Sequence, residues 1–172
     1  MRYMERGGFE THPLMRLTLA LSLALLFGFW LTNFGLYFAR MSLRPSSVVA
    51  YYNGSEEDFR PPRSTESMLE TTHMHLPMMA LVLLLLTHLS IFAPLPRRAK
   101  PPLIAGTFVA AALQEGAGWL VRYVSPVFAP LKVIGFVGLQ SGILILLAAL
   151  AVFLGRGAQA QRTVSEDDSN PT

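Results

Sequence analysis

Four long apolar runs, Leu17–Phe38, Leu76–Ala93, Leu103–Val121 and Val127–Leu154, take up about half of this 172-residue chain and leave it few ways to fold. Each approaches the roughly 20 residues that a helix needs to cross about 30 Å of hydrocarbon, the second at the short end. Backbone polar groups in lipid are satisfied only within helices or closed barrels, and these runs are continuous rather than alternating. The expected fold is therefore all-α, an integral membrane four-helix bundle. Composition agrees: 52% of residues are hydrophobic and 15% charged, against about 25% charged in soluble domains. The first run exceeds a signal-peptide core, and the Asn33–Phe38 end has no small-x-small cleavage site, so it is read as a retained span.

Charge sets the orientation. Arg2, Arg6 and Arg16 precede the first run, "PRRAKPP" joins the second to the third, and Arg156 and Arg162 follow the fourth. Positive charge in short flanking loops marks the cytoplasmic face, which places both termini there. The chain then divides into a cytoplasmic segment 1–16, a transmembrane domain 17–154 with an extracytoplasmic loop at 41–72, and a polar tail 155–172 expected to be disordered. The loop carries mixed charge and little periodicity. Asn53-Gly54 signals a turn, Pro61-Pro62 an extended stretch, and a helix is expected to restart at Ser64 or Ser67, the latter with capping-box spacing to Glu70. Arg122 and Lys132 fall in or beside the short connection after the third run. A net charge of +3 without a basic stripe argues against nucleic acid as a partner, and the absence of cysteine removes disulfides and thiolate metal sites.

The chemistry gathers at one membrane border. "LETTHMHLPMM", Leu69–Met79, sets His73 and His75 one residue apart among methionines at the lip of the second run. Counting from the Arg97 turn at about 1.5 Å per residue puts His75 about 33 Å and Glu115 about 27 Å away, at similar depth. Asn33 in the first run and Gln140 with Ser141 in the fourth fall in the same outer half. Ionisable groups inside a span cost at least a few kcal/mol and usually face the bundle interior, where they mark a site. Glu115, Trp119 and Arg122 recur at helical spacing, giving one face with a carboxylate, an interfacial indole and a guanidinium.

Pro77 leaves two geometries open. If the helix continues through it, the bond to the His73 carbonyl is lost and His73 and His75 point to nearly opposite faces. If Pro77 starts the helix, the residues before it tend to be extended, and the two imidazoles share a side as a possible chelating pair. Imidazoles with Glu115 would suit zinc, manganese or non-haem iron; imidazoles with Met68, Met74, Met78 and Met79 would suit copper. Haem b is the other candidate cofactor, with His73, His75 or the deeper His88 as axial ligand and Trp119 and Arg122 beside it. His12 lies outside the membrane and the other three histidines belong to one helix or its lead-in, so a second axial ligand would come from methionine or another copy. The bland readings are interfacial histidines bonded to loop or water, a His88 hydrogen bond to a neighbouring helix, methionines that pack, and Gly135, Gly138 and Gly142 that let helices approach. No P-loop, nucleophile elbow or HExxH is present, and no Ser/His/Asp set shares a depth, so no enzyme activity is expected.

The run "ETTHMHLPMMALVLLLLTHL", with "YYNG" upstream and "EGAGWLVRY" downstream, resembles a group of bacterial four-span membrane proteins that carry a His-x-His before the second span. Some similar proteins are associated with cytochrome-type electron transfer. The resemblance covers about Tyr51–Tyr123 and implies a redox-associated component of the bacterial inner membrane, matching at His73, His75, Glu115, Trp119 and Arg122. Three functional expectations follow. The first is a haem- or copper-binding accessory of an electron-transfer assembly, working with other membrane subunits or as a homodimer, with His73 and His75 as ligands and Glu115 as ligand or acceptor. The second is a cofactor-free structural subunit whose Gly-rich fourth span docks a partner. The third is a small-molecule or proton carrier that uses Glu115.

Overall fold

The computed structural model describes residues 12–57 and 59–168, with 157–168 as backbone alone. Its helices are α1 (Pro13–Arg40), α2 (Pro45–Asn53), α3 (Thr65–Ser90), α4 (Lys100–Tyr123) and α5 (Ala129–Asp168), with a 3-10 turn at Pro126–Phe128 leading into α5. Four are long and apolar enough to span a membrane: Pro13–Arg40, Thr65–Ser90, Lys100–Tyr123 and the stretch Pro126–Arg156. They take in the four apolar runs but for the last three residues of the second, and the fold is the expected all-helical four-span bundle.

The α4–α5 hairpin is its centre, because small residues let the two backbones meet. A Cβ built on Gly135 would lie 2.5 Å from the Gln114 nitrogen, one on Gly138 3.2 Å from the Ala110 methyl, and one on Gly142 would run into the Thr107 hydroxyl. Thr107, Ala110, Ala111, Ala117, Gly118 and Val121 are the buried stripe of α4. Close approach through small residues is how helices gain contact in lipid, where hydrophobic burial between helices gives little. The glycine face expected to serve either helix packing or a partner is thus occupied within the chain.

Around this hairpin α1 packs on α5, α3 packs on α4 and α5, and α1 and α3 barely touch. The lower core joins Leu19, Leu23, Leu83, Leu86, Leu146, Leu150 and Phe153. A second cluster at the loop-bearing end joins Tyr37, Met41, Val48, Tyr52, Met68, Val121 and Phe136, with the Tyr37 and Phe136 rings stacked at 3.7 Å between centroids. Lys100 closes the α3–α4 turn by donating to the Ile91 carbonyl at 2.6 Å.

The expected loop 41–72 is more ordered than its sequence suggested. α2 lies inside it, started by Pro45 and anchored by Val48 and Tyr52, one turn apart and both buried. Gly54 ends α2 at φ 88°, where a Cβ would sit 2.7 Å from the Arg60 carbonyl oxygen, so the Asn53-Gly54 turn requires its glycine. α3 then begins at Thr65, between the expected restarts at Ser64 and Ser67 and ahead of the apolar run that opens at Leu76. Its N-cap is Ser64, whose hydroxyl accepts from the Ser67 N–H at 3.2 Å. Pro77 lies inside α3, which resolves the two geometries in favour of a continuous helix. At the other end α5 stays helical to Asp168, whereas a disordered tail was expected from residue 155. Extending an existing helix costs far less than starting one. The expectations for 1–11 and 169–172 fall outside the described residues.

The hairpin seam is testable. Gly142→Leu is expected to destabilise the bundle by about 1–3 kcal/mol through overpacking, while Gly28→Leu, with no atom within 4 Å of the new Cβ, leaves it unchanged. Thermal melts in a neutral detergent read the difference.

Candidate functional site

Between the two apolar clusters lies a belt of polar side chains, and α3 and α4 join there. Thr72 on α3 donates its hydroxyl to Glu115 Oε1 at 2.5 Å and accepts from the Trp119 indole N–H at 3.0 Å. One turn further along α3, His75 Nδ1 stands 3.5 Å from Glu115 Oε2. The spacings explain the convergence. Thr72 and His75 are three apart, Glu115 and Trp119 four apart, so each pair shares a helix face.

His73 does not join them. Two residues along a continuous helix turn about 200°, so His75 meets Glu115 while His73 is exposed on the far side. His88 is exposed as well, edge-on to Phe92 at 6.5 Å. Among the described residues no three His, Asp or Glu side chains converge on a point that could hold a metal ion. Of the expected metal set of His73, His75 and Glu115, the structure brings His75 and Glu115 together and leaves His73 apart. No two imidazoles of one copy bracket a space for haem, since His73 and His88 sit near one outward face about 22 Å apart along the axis. Arg122 does not reach down to Glu115. Its Nε donates to the Arg63 carbonyl at 3.0 Å and its guanidinium lies over the Tyr123 ring, tying the end of α4 to the segment before α3.

The buried cation at the site is Lys132. The sequence places it beside a loop, but the 3-10 turn carries the chain into α5 before it, and the side chain points inward with 7% of its surface exposed. Its Nζ donates to the Gln114 carbonyl at 2.6 Å and lies 5.7 Å from the centre of the Tyr52 ring. Glu115 acts on it only at longer range; the carboxylate's close partners are Thr72 and His75. The signal for Lys132 was in the sequence: one charge set in the apolar run that opens the fourth span.

These groups line a cavity of about 140 Å³ at the loop-bearing end. Its walls include the cations Arg40, Arg63 and Lys132 and one carboxylate, Glu115, with His75, Tyr51 and Tyr52. Arg63 lies over the Tyr51 ring, 5.2 Å from its centre, and Arg40 reaches the Tyr51 hydroxyl at 3.5 Å. Among the described residues the one carboxylate ion pair is His75–Glu115, so the three cations face the cavity without an acidic partner. Burial pushes the Tyr52 phenol far above its usual range, so it is a neutral hydroxyl at any physiological pH. Deeper, Trp30 donates to the Gln140 carbonyl at 3.0 Å. The side-chain oxygens of Gln140 and Gln114 are buried with no hydrogen-bond partner.

The profile of a family described as a transmembrane helical domain, Aq_1264_TM, matches residues 42–161. The match starts just after α1 and takes in α2, α3, α4 and the membrane-spanning part of α5, while α1, which brings Asn33, Leu36, Tyr37 and Arg40 to the cavity wall, precedes it. Comparison with curated proteins and with solved structures gave no match.

Two measurements check the site. A double-mutant cycle of His75→Leu and Glu115→Leu is expected to give a coupling of about 0.6 kcal/mol, the usual size for polar pairs in membranes, whereas His73→Leu with Glu115→Leu gives none. Thr72→Val is expected to cost about 1–2 kcal/mol, because it leaves the Glu115 carboxylate and the Trp119 N–H short of a partner, and to shift Trp119 fluorescence.

Proposed function

The chain belongs to this transmembrane helical domain family, and from the chemistry of its cavity we propose that it is a multi-pass membrane subunit that binds a small anionic ligand. Lys132 carries the reading. It is a buried ammonium that, among the described residues, donates to one carbonyl at 2.6 Å and has no carboxylate within ion-pair distance. A charge at membrane depth is costly and marks a pathway or ligand site by default. An anion between Lys132 and Arg63 would supply the missing countercharge, with the Tyr52 hydroxyl as a neutral donor and the His75–Glu115 pair at the wall. The flanking positive charge supports placing this end outside the cytoplasm, and the resemblance to bacterial four-span proteins supports a bacterial inner membrane.

The haem- or copper-binding accessory of an electron-transfer assembly has less support, because His73 and His88 face away from the cavity that His75 lines. Its partners would sit on α1, where only 11% of the span is buried. A specific observation favours the structural reading as second. Thr72–Glu115, Trp119–Thr72 and Lys132–Gln114 all cross between helices and would fasten the bundle without any ligand.

Lys132→Met separates the two. Under the binding reading, inorganic phosphate at ten times its Kd stabilises the parent chain by about 1.4 kcal/mol and leaves Lys132→Met unaffected. Under the structural reading phosphate moves neither melt, which overturns the proposal.

A further inference from the structure

The polar cavity does not end at His75. A second, largely apolar cavity of about 130 Å³ adjoins it, walled by Phe29 and Leu36 of α1, Met78, Met79, Val82 and Leu83 of α3, and Leu139, Gln140 and Ile143 of α5. Asn33, Leu36, His75 and Gln114 line both spaces and form their shared rim. The crevice exists because α1 and α3 each rest on α5 and barely touch one another. Leu36 and Met78, on its two walls, are each more than half exposed, so both walls reach the outer surface of the bundle.

We propose that the site takes an amphiphile with an anionic headgroup, which enters from the membrane between α1 and α3. The headgroup sits against Lys132 and Arg63, and one alkyl chain lies in the crevice between Met78 and Leu36. The inference rests on the anion-binding reading above and adds the chain and the route. Charge selects the headgroup: three cations and one carboxylate face the polar cavity, and that carboxylate is held by Thr72 and His75. Apolar lining selects the chain. Gln140, 4% exposed, lines the crevice as well, and among the described residues its side-chain oxygen has no hydrogen-bond partner. A water-soluble anion would use the upper cavity alone and leave the crevice without a role.

Binding to the full chain in phosphatidylcholine nanodiscs tests this, with oleate, oleyl alcohol and inorganic phosphate as probes. Oleate is expected to bind saturably at one per chain, at least about tenfold tighter than oleyl alcohol, and to compete with phosphate. Lys132→Met removes both oleate and phosphate binding. If that variant does not fold, Arg63→Gln is expected to weaken both at least about fivefold. Met78→Trp, at a half-exposed position that lines only the crevice, weakens oleate about tenfold and leaves phosphate unchanged. Phosphate binding without competition from oleate, or oleate indifferent to Met78→Trp, overturns the amphiphile while the anion site stands. Oleate no tighter than oleyl alcohol reduces it to partition into lipid and overturns it equally. If neither anion binds, both proposals fall.

Discussion

The seam between α4 and α5 is the contact on which the rest depends. Gly135, Gly138 and Gly142 leave no side chain between the helices, so the α5 backbone lies against Gln114, Ala110 and Thr107. That approach brings the Lys132 ammonium within 2.6 Å of the Gln114 carbonyl. With larger residues at the glycines, the helices would separate by ångströms and Lys132 would lose its one close acceptor. The polar site is thus a product of small-residue packing, and its position along the membrane normal is set by where the glycines stop.

The other helices use this hairpin as a floor. α3 reaches it through Thr72 and His75 and is fixed to α4 by hydrogen bonds to one carboxylate and one indole. α1 reaches it through Trp30 and through the Tyr37–Phe136 stack. The α1 and α3 backbones hardly approach one another, and a polar chamber at one end shares its rim with an apolar crevice. The two chambers differ in character because the loop-bearing end draws Arg40, Arg63 and two tyrosines from α1, α2 and the segment before α3, while the deeper part is bounded only by membrane-spanning residues.

α2 shows why the connecting loop was the hardest part to read. Nine residues with two buried side chains give too short a period to register as a helix. Pro45 and Gly54, which bound it, are also ordinary loop residues. Lys132 was misplaced for a related reason: a charge five residues after the start of an apolar run looks like a flank until the 3-10 turn and the glycine seam show which way it points. Glu115 was recognisable because it sits alone within apolar sequence, and Thr72 was not, because a hydroxyl at a span border has many ordinary uses.

The sequence by itself determined the four spans and put Glu115, Trp119 and His75 among the candidate residues, alongside His73, His88 and Arg122. These depend on local quantities: length, hydropathy and rise per residue. It left Pro77 undecided, since a proline fits either the first turn or the interior of a helix. Only the tertiary structure decided that the helix starting at Thr65 runs on through Pro77, which turns His73 away from His75. Only the packing of α5 on α4 decided that Lys132 points inward and that α1 and α3 stand apart. Those outcomes depend on which faces of distant helices meet, and no count along a single helix contains that.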